Sequence, residues 1–291
     1  MKRIVVTGGS GKAGRAVVHE LVAHGYSVVN VDLLPPAQAL CHFLRADLND
    51  MGQTIDALRR AAGTAERRRP FEVADAVVHL AGIPAPGLAP DATTFQNNLM
   101  TTYNVFSAAT LLGLERVVWA SSETVFGLPF TRATPAFAPI TEEHPLLPEN
   151  GYALAKGLAE DMARQMHRWN PGTSFLGLRI SNIIEPREYA TFPDWQHDPD
   201  IRKWNLWSYV DSRDVALACR LGLEATEIGA EHCIIAAADT VMERPNHELL
   251  SVCFPQVPLD GDVGKFQSLQ STAKAKRLIG YVPQQTWRAR C

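Results

Sequence analysis

Short, continuously apolar runs alternate along this chain with longer segments whose apolar residues recur at helical spacing. The runs Arg3–Thr7, Ser27–Asp32, Ala76–Leu80, Arg116–Ser121, Ser174–Arg179 and His232–Ala236 are rich in Val, Ile and Leu. Extended segments that are apolar on both sides predict strands covered on both faces. The segments Gly14–His24, Met51–Ala62, Phe95–Leu112, Tyr152–Trp169 and Ser212–Leu223 carry the helical period. Strands alternating with helices predict βαβ units with right-handed crossovers, hence an α/β chain with a doubly wound parallel sheet.

Two stretches break this rhythm. Between Leu128 and Gly151 stand Pro129, Pro135, Pro139, Pro145 and Pro148, which exclude a regular element. A second irregular stretch, residues 185–206, carries Pro186, Pro193, Pro199 and several aromatics. Long loops in compact domains are usually functional. No internal repeat and no low-complexity tract is visible.

Composition narrows the class. The chain has 291 residues, 46% hydrophobic and 20% charged, with a formal net charge of −3. That length suits one large domain or two smaller ones and buries a sizeable core. No global basic field points to nucleic acid or a membrane surface. The one dense basic run, Arg67-Arg68-Arg69, reads as solvated surface charge. Cys41, Cys219, Cys233, Cys253 and Cys291 are odd in number and widely spaced, so neither a disulfide framework nor a zinc or other metal site is expected. Reduced thiols imply a cytoplasmic protein. The apolar run after Lys2-Arg3 is too short for a signal peptide, and no stretch approaches a spanning helix.

The first strand runs into Thr7-Gly8-Gly9-Ser10-Gly11-Lys12-Ala13-Gly14. Gly8, Gly11 and Gly14 have the spacing of a dinucleotide turn: one for a tight bend, one for close approach to a pyrophosphate, one for helix–strand packing. The helix opening at Lys12 and Ala13 then aims backbone N–H groups at the phosphates. Asp32 closes the second strand, where an acid accepts hydrogen bonds from the adenosine ribose and repels a 2′-phosphate. Leu33 and Leu34 follow it rather than Arg, so NAD is expected over NADP. Asp47-Leu48 ends a further short apolar segment; Asp47 reads either as an adenine contact or as a helix cap.

Of the six tyrosines, only Tyr152 has a lysine four residues on, Lys156. In a helix both side chains share one face. An ammonium beside a phenol stabilises the phenolate and lowers its pKa, which makes Tyr152 a general base or acid near neutrality. Ser122 closes a strand, where its hydroxyl faces the cleft of a parallel sheet within reach of a substrate oxygen and the tyrosine; as a plain turn residue it would cap instead.

These residues resemble one family, the extended short-chain dehydrogenases/reductases, also known as the NAD-dependent epimerase/dehydratase family. Thr7–Gly14 resembles its T-G-x-x-G-x-x-G turn, and His79-Leu80-Ala81-Gly82 its cofactor-lining strand end. Asn98–Asn104 resembles N-x-x-[GT]-T-x-N, which implies that Asn98 helps order the lysine and a proton-relay water. Ala120–Gly127 resembles the S-S-x-x-V-[YF]-G serine motif, with Ser122 at the catalytic position. Ile140–Pro145 is similar to the loop before the catalytic tyrosine, and Leu178-Arg179-Ile180-Ser181-Asn182 to the turn over the nicotinamide. Tyr209–Ala216 matches the later V-x-x-D-V-A helix start. The resemblance spans nearly the whole chain and implies a Rossmann-type doubly wound sheet with a small C-terminal substrate-binding part, with NAD lying against Gly8, Gly11, Lys12, Ala13, Gly14, Asp32, Leu33, Asp47, Leu48, Leu80, Ala81, Gly82, Asn98, Ala120, Tyr152, Lys156 and Ile180.

The match fades where substrate is chosen. The Arg that grips a nucleotide-sugar diphosphate in this family has Trp207 in its place, within Lys203–Ser208. Trp204 and Trp207 would either stack on a sugar ring or fill core. Uronate dehydrogenases share an R-I…E-P…Y pattern seen here as Arg179-Ile180…Glu185-Pro186…Tyr189, but their carboxylate-holding Arg falls near Ala190. Arg187 and Arg213 are the candidates to replace it, each also readable as a surface residue. Glu123 would set a carboxylate beside the substrate, favouring hydroxyls over a second anion. Ser122, Glu123, Asn182, Arg187 and Arg213 are therefore the expected substrate contacts.

The expectation is a homodimeric, NAD-dependent oxidoreductase that removes hydride from a secondary alcohol or lactol carbon of a sugar or sugar acid. Residues 1–178 would form the cofactor domain with the catalytic residues, and 179–291 mainly the substrate part, with residues near 207–240 returning to the sheet. The alternatives are a sugar epimerase using the same triad, and a non-catalytic NAD-binding sensor. A dehydratase wants an Asp-Glu pair where Glu123 and Thr124 stand.

Overall fold

A computed structural model describes residues 2–59 and 73–290. Its apolar runs pair as one seven-stranded sheet: β1 (Arg3–Thr7), β2 (Ser27–Asp32), β3 (His42–Arg45), β4 (Ala76–His79), β5 (Arg116–Ser122), β6 (Ser174–Ile180) and β9 (Ala230–Ile235). The order is β3-β2-β1-β4-β5-β6-β9 and every pairing is parallel. A small parallel pair, β7 (Ile183–Ile184) with β8 (Val210–Asp211), stands apart from it. The chain works outward from β1 through β2 and β3, then returns to β4 on the other side. This reversal between β1 and β4 opens a crevice beyond the carboxyl ends of the strands, where such sheets hold ligands.

The period of two in the strands explains how both faces are filled. Ile4 and Val6 of β1 join a core with α1 (Lys12–Ala23) and α5 (Ser212–Glu224), while Val5 joins a second core with α2 (Met51–Arg59), α3 (Asp91–Leu112) and α4 (Gly151–Trp169). A third core, built on Trp207, Tyr209, Phe192 and Phe126, lies under the irregular stretches and α6 (Asn246–Cys253), while α7 (Ala273–Ile279) joins the first core through Ala275 and Ile279.

The predicted helix Met51–Ala62 is α2 as far as Arg59; residues 60–62 and the basic run Arg67–Arg69 lie outside the described residues. The prolines between Leu128 and Asn150 keep that stretch free of regular helix and strand, and it is tied down by bridges of Ala138 to Leu259 and Ile140 to Gln270. The stretch 185–206 folds as three 3₁₀ turns, Pro186–Trp195, Pro199–Ile201 and Lys203–Asn205. Among the described residues, no helix is long and apolar enough to cross a membrane.

Candidate active site

The crevice holds a cavity of about 1140 Å³ whose wall includes the glycine turn, Asp32, Leu33, Leu48, Leu80–Gly82, Ala120–Thr124, Tyr152, Lys156, Ile180–Ile183 and Trp204. Its cofactor end starts at Gly8, at φ +72°, whose N–H donates to the Val31 carbonyl at 2.8 Å. A Cβ on Gly8 would come within 2.6 Å of the Ala81 nitrogen, and one on Gly14 within 2.0 Å of the Gly8 carbonyl. A side chain at either place would occupy the cradle. Below the turn, Thr7 Oγ1 lies 2.7 Å from His79 Nδ1, and burial pushes the His79 imidazole down to about 3, so it stays neutral. The Asp32 carboxylate accepts the Ser10 N–H at 3.0 Å and the Leu33 N–H at 2.7 Å. Glycines packed this closely, with an acid at the end of β2, fit a dinucleotide lacking a 2′-phosphate.

Two residues expected at the cofactor, Asp47 and Lys12, are engaged elsewhere in the protein. Asp47 does not line the cavity; its carboxylate accepts the Asn49 N–H at 2.9 Å in a local turn, and the cap of α2 is Asp50, which accepts the Gln53 N–H at 2.9 Å. Lys12 lines the cavity, but its ammonium is clamped to Glu188 at 2.7 Å and to the Ile183 carbonyl at 3.1 Å. Arg15 reaches Glu185 at 2.7 Å, so residues 183–188 cross the mouth of the glycine turn. Nothing local in the sequence announces that crossing.

Ser122, Tyr152 and Lys156 converge on the same wall, and all three are buried. Asn150 caps α4 through the Ala153 N–H at 2.9 Å and so starts the helix immediately before the tyrosine. Ser122 Oγ accepts the Thr124 N–H at 3.2 Å and the Thr124 hydroxyl at 3.0 Å. Its own proton is left to point at Tyr152, with which it is hydrogen-bonded. Lys156 donates to the Ala120 carbonyl at 2.6 Å and stands 5.7 Å from the Tyr152 ring centre. The expected lowering of the phenol pKa is not what this environment produces. Burial pushes Tyr152 up to about 12, helped by the Glu123 charge and opposed by the Ser122 hydrogen bond. Burial also draws Lys156 down to about 8.

Asn98 is likewise corrected. It does not line the cavity; its amide closes on Ile83, accepting the N–H at 2.7 Å and donating to the carbonyl at 3.0 Å. It thereby fixes the Gly82–Ile83 turn, where a Cβ on Gly82 would strike Asn98 Oδ1 at 2.9 Å.

Of the expected substrate contacts, Ser122, Glu123 and Asn182 line the cavity. Arg187 and Arg213 do not. Arg187 is mostly exposed and pairs with Glu185 at 2.8 Å, and Arg213 forks onto Asp211 at 2.7 Å. The two tryptophans divide: Trp204 lines the cavity and Trp207 is fully buried in core. Glu123 is buried, and its carboxylate accepts from Ser181 Oγ at 2.7 Å, Asn205 Nδ2 at 3.3 Å and Gln270 Nε2. Burial pushes it up to about 7 against those donors and the Arg202 charge.

Arg202, Asn205 and Gln270 were not anticipated. Both Arg202 Nη atoms donate to Asn182 Oδ1 at 3.1 Å, and its guanidinium lies 4.7 Å from the Trp195 ring centre and 5.0 Å from that of Trp204. Ser181 had a signal, since it sits inside the Leu178–Asn182 segment. Gln270, far along the chain from Glu123, had none.

The chain resembles known proteins at three levels. It is 33% identical over 221 residues to UDP-glucose 4-epimerase of Bacillus subtilis (strain 168), covering 71% of this chain and 59% of that one. It spans about half the length of the curated relatives it matches. A crystal structure of UDP-galactose 4-epimerase superposes with a TM-score of 0.67 at 26% identity, covering 98% of this chain and 94% of that one. Uronate dehydrogenase from Agrobacterium tumefaciens shares the fold with a TM-score of 0.67 at 21% identity, over 99% of this chain and 86% of that one. The model of the NAD dependent epimerase/dehydratase family matches residues 4–235. With the glycine cradle, the acid closing β2 and this match over most of its length, the chain belongs to the NAD-dependent epimerase/dehydratase family of enzymes.

Proposed function

We propose that this chain is an NAD-dependent oxidoreductase that removes hydride from a secondary alcohol or lactol carbon of a sugar or sugar-acid substrate. The observation that carries the reading is the meeting of Ser122, Tyr152 and Lys156 on the wall of one cavity with the glycine turn. Residues 1–178 serve as the cofactor unit, and 179–291 mainly as the substrate unit, with 207–240 returning to the sheet.

NAD, when bound, would supply the hydride acceptor. Gly8, Gly11, Ala13 and Gly14 would admit its phosphates, Asp32 and Leu33 its ribose, and Leu48 and Leu80–Gly82 its rings. Tyr152 takes the substrate's hydroxyl proton, a step for which its phenol must titrate well below the value of about 12 that burial gives it in the protein alone. Ser122 turns its proton from Tyr152 to the same substrate oxygen once substrate is bound. Lys156, held by the Ala120 carbonyl, keeps a cation beside the phenol. Asn98 positions the Gly82–Ile83 turn rather than touching the reactants.

The second reading is a sugar epimerase, favoured by relatives named UDP-glucose 4-epimerase. Against nucleotide sugars stands Trp207, buried in core where the diphosphate-gripping Arg belongs. A homodimer is supported by the exposed apolar residues Met100, Tyr103 and Leu111 on α3 and Leu154 and Leu158 on α4. Four described cysteines without disulfides fit a cytoplasmic protein.

The test is NADH formation across free sugars, uronic acids, polyols and UDP-sugars, with Tyr152→Phe alongside. NADH that disappears in Tyr152→Phe is the expected result. Interconversion of two sugars at catalytic NAD, with no net NADH, would overturn the reading in favour of the epimerase.

A further inference from the structure

We infer that Glu123 makes this site one for an uncharged, hydroxyl-rich sugar or polyol, and that it excludes sugar acids and nucleotide diphosphates. This deepens, and rests on, the oxidoreductase reading above. Glu123 directly follows Ser122 and lines the cavity with it, which puts a buried carboxylate at the same end of the cavity as the serine. Its partners are one hydroxyl and two amides, Ser181, Asn205 and Gln270. All three donate, and none carries a charge. The two amides turn their N–H groups to Glu123 although Asn205 Oδ1 and Gln270 Oε1 are then buried without a partner. Such a shell is organised around an anion.

The surrounding charges do not cancel it for a ligand. Among the described residues, the cations lining the cavity are Lys12, Arg15 and Lys156. Lys12 and Arg15 sit at the glycine turn on Glu188 and Glu185, and Lys156 is on the Ala120 carbonyl. Arg202 stands behind Asn182, committed to that side chain and to the Ser208 carbonyl. Arg202 keeps its Nε without a partner but does not line the cavity, so a carboxylate or diphosphate entering next to Ser122 would meet a buried negative charge before any guanidinium. A neutral polyol meets a carboxylate that accepts its hydroxyls, and the face of Trp204 against its C–H groups. An acid at this site either meets the repulsion or enters with Glu123 protonated, which at pH 8 and a pKa of about 7 sets the discrimination at ~10-fold.

The experiment compares matched pairs, an aldose with its uronic acid and with its UDP derivative, in the wild type and in Glu123→Gln. Assays run at pH 8, with thermal melts confirming that the variant is folded. The wild type is expected to favour the neutral member by ~10-fold in kcat/KM at that pH. Glu123→Gln, which keeps the shape and removes the charge, is expected to bring that ratio close to one by gaining on the acid. A wild type that turns over the acid as well as the neutral sugar overturns the inference, as does an unchanged ratio in Glu123→Gln. Titration calorimetry of the same pairs on NAD-loaded protein separates the two readings. If no sugar yields NADH, the oxidoreductase reading falls, while the ratio of neutral to acid binding still decides the role of Glu123: tighter binding of the acid by the wild type refutes it.

Discussion

Replacing Gly14 by Ala puts a Cβ 2.0 Å from the Gly8 carbonyl oxygen, 2.5 Å from the Gly9 Cα and 2.8 Å from the Gly8 carbonyl carbon. All three are backbone atoms, so no rotamer change relieves the clash. To reach an ordinary contact the turn must move by more than an ångström, yet Gly8 is anchored to the Val31 carbonyl and bonded by the Gly11 N–H at 3.0 Å. Overpacking of this kind costs ~1–3 kcal/mol of stability. A displacement of that size in a ligand cradle weakens function by ~100-fold. Gly11 provides the contrast. Its Cβ would stand 3.3 Å from the Gly8 carbonyl, with φ at −75°, a conformation open to alanine. Gly11→Ala should therefore melt near the wild type and still lose NAD, because its methyl enters the path of the pyrophosphate. Calorimetric NAD titration and thermal melts of both variants read the two effects apart. Wild-type NAD affinity in Gly14→Ala would refute the reasoning, and so would a melting loss in Gly11→Ala as large as in Gly14→Ala.

Two further outcomes follow from buried charge. Glu160 holds Arg179 at 2.7 Å, both side chains almost wholly buried, so Glu160→Gln strands a guanidinium and should cost ~3–5 kcal/mol in urea denaturation; a loss below ~1 kcal/mol would refute this. His79, pushed down to about 3 by burial and by the Lys156 charge, binds a proton in the unfolded chain at an ordinary 6.5 but not in the folded one. Its stabilisation is thus complete above 6.5 and is lost as pH falls from there towards 3, by up to about 1.4 kcal/mol per pH unit. The difference in denaturation free energy between wild type and His79→Gln should show that slope, and a difference flat between pH 6 and pH 4 would exclude it.

What was legible in the sequence, and what was not, follows from where the information lies. β1 and β2 have the predicted limits because strands in the middle of a parallel sheet must be apolar on both sides. β3, at the sheet edge, is half exposed, and its His42 and Arg45 face solvent, so it lacks that run and was not predicted. The Tyr152–Lys156 pair was visible because four residues are one turn of one helix. The phenol's pKa was not, since burial by distant elements dominates it. The substrate side was read least well. Arg187 looked suitable by its place in a motif, but an exposed 3₁₀ turn carries it onto Glu185. Arg202 reaches the site through turns that put Leu206 and Trp207 at positive φ, a path with no periodic signature. Gln270 meets Glu123 only through tertiary folding.

This division has a consequence for how the site changes. Tyr152, Lys156 and Glu160 lie at successive turns on one face of α4, and each is bonded to the end of β5: Tyr152 to Ser122, Lys156 to the Ala120 carbonyl, and Glu160 to Ser121 Oγ at 2.7 Å. Arg179 of β6 closes the set on Glu160. The helical repeat that brings the phenol and the ammonium together thus also zips the helix to the strand that carries the serine. Reaction geometry is held by two regular elements and their register, and no loop is needed to maintain it. Glu123 stands one residue beyond this zipper, and its partners Ser181, Asn205 and Gln270 come from three separate irregular segments. A substitution in those segments would alter the setting of the Glu123 carboxylate while leaving the bonds of Tyr152 and Lys156 to β5 in place. Changing the charge at Glu123 would therefore leave the helix–strand zipper intact, yet it would still reach the chemistry through the field of that carboxylate, which helps hold the Tyr152 phenol up.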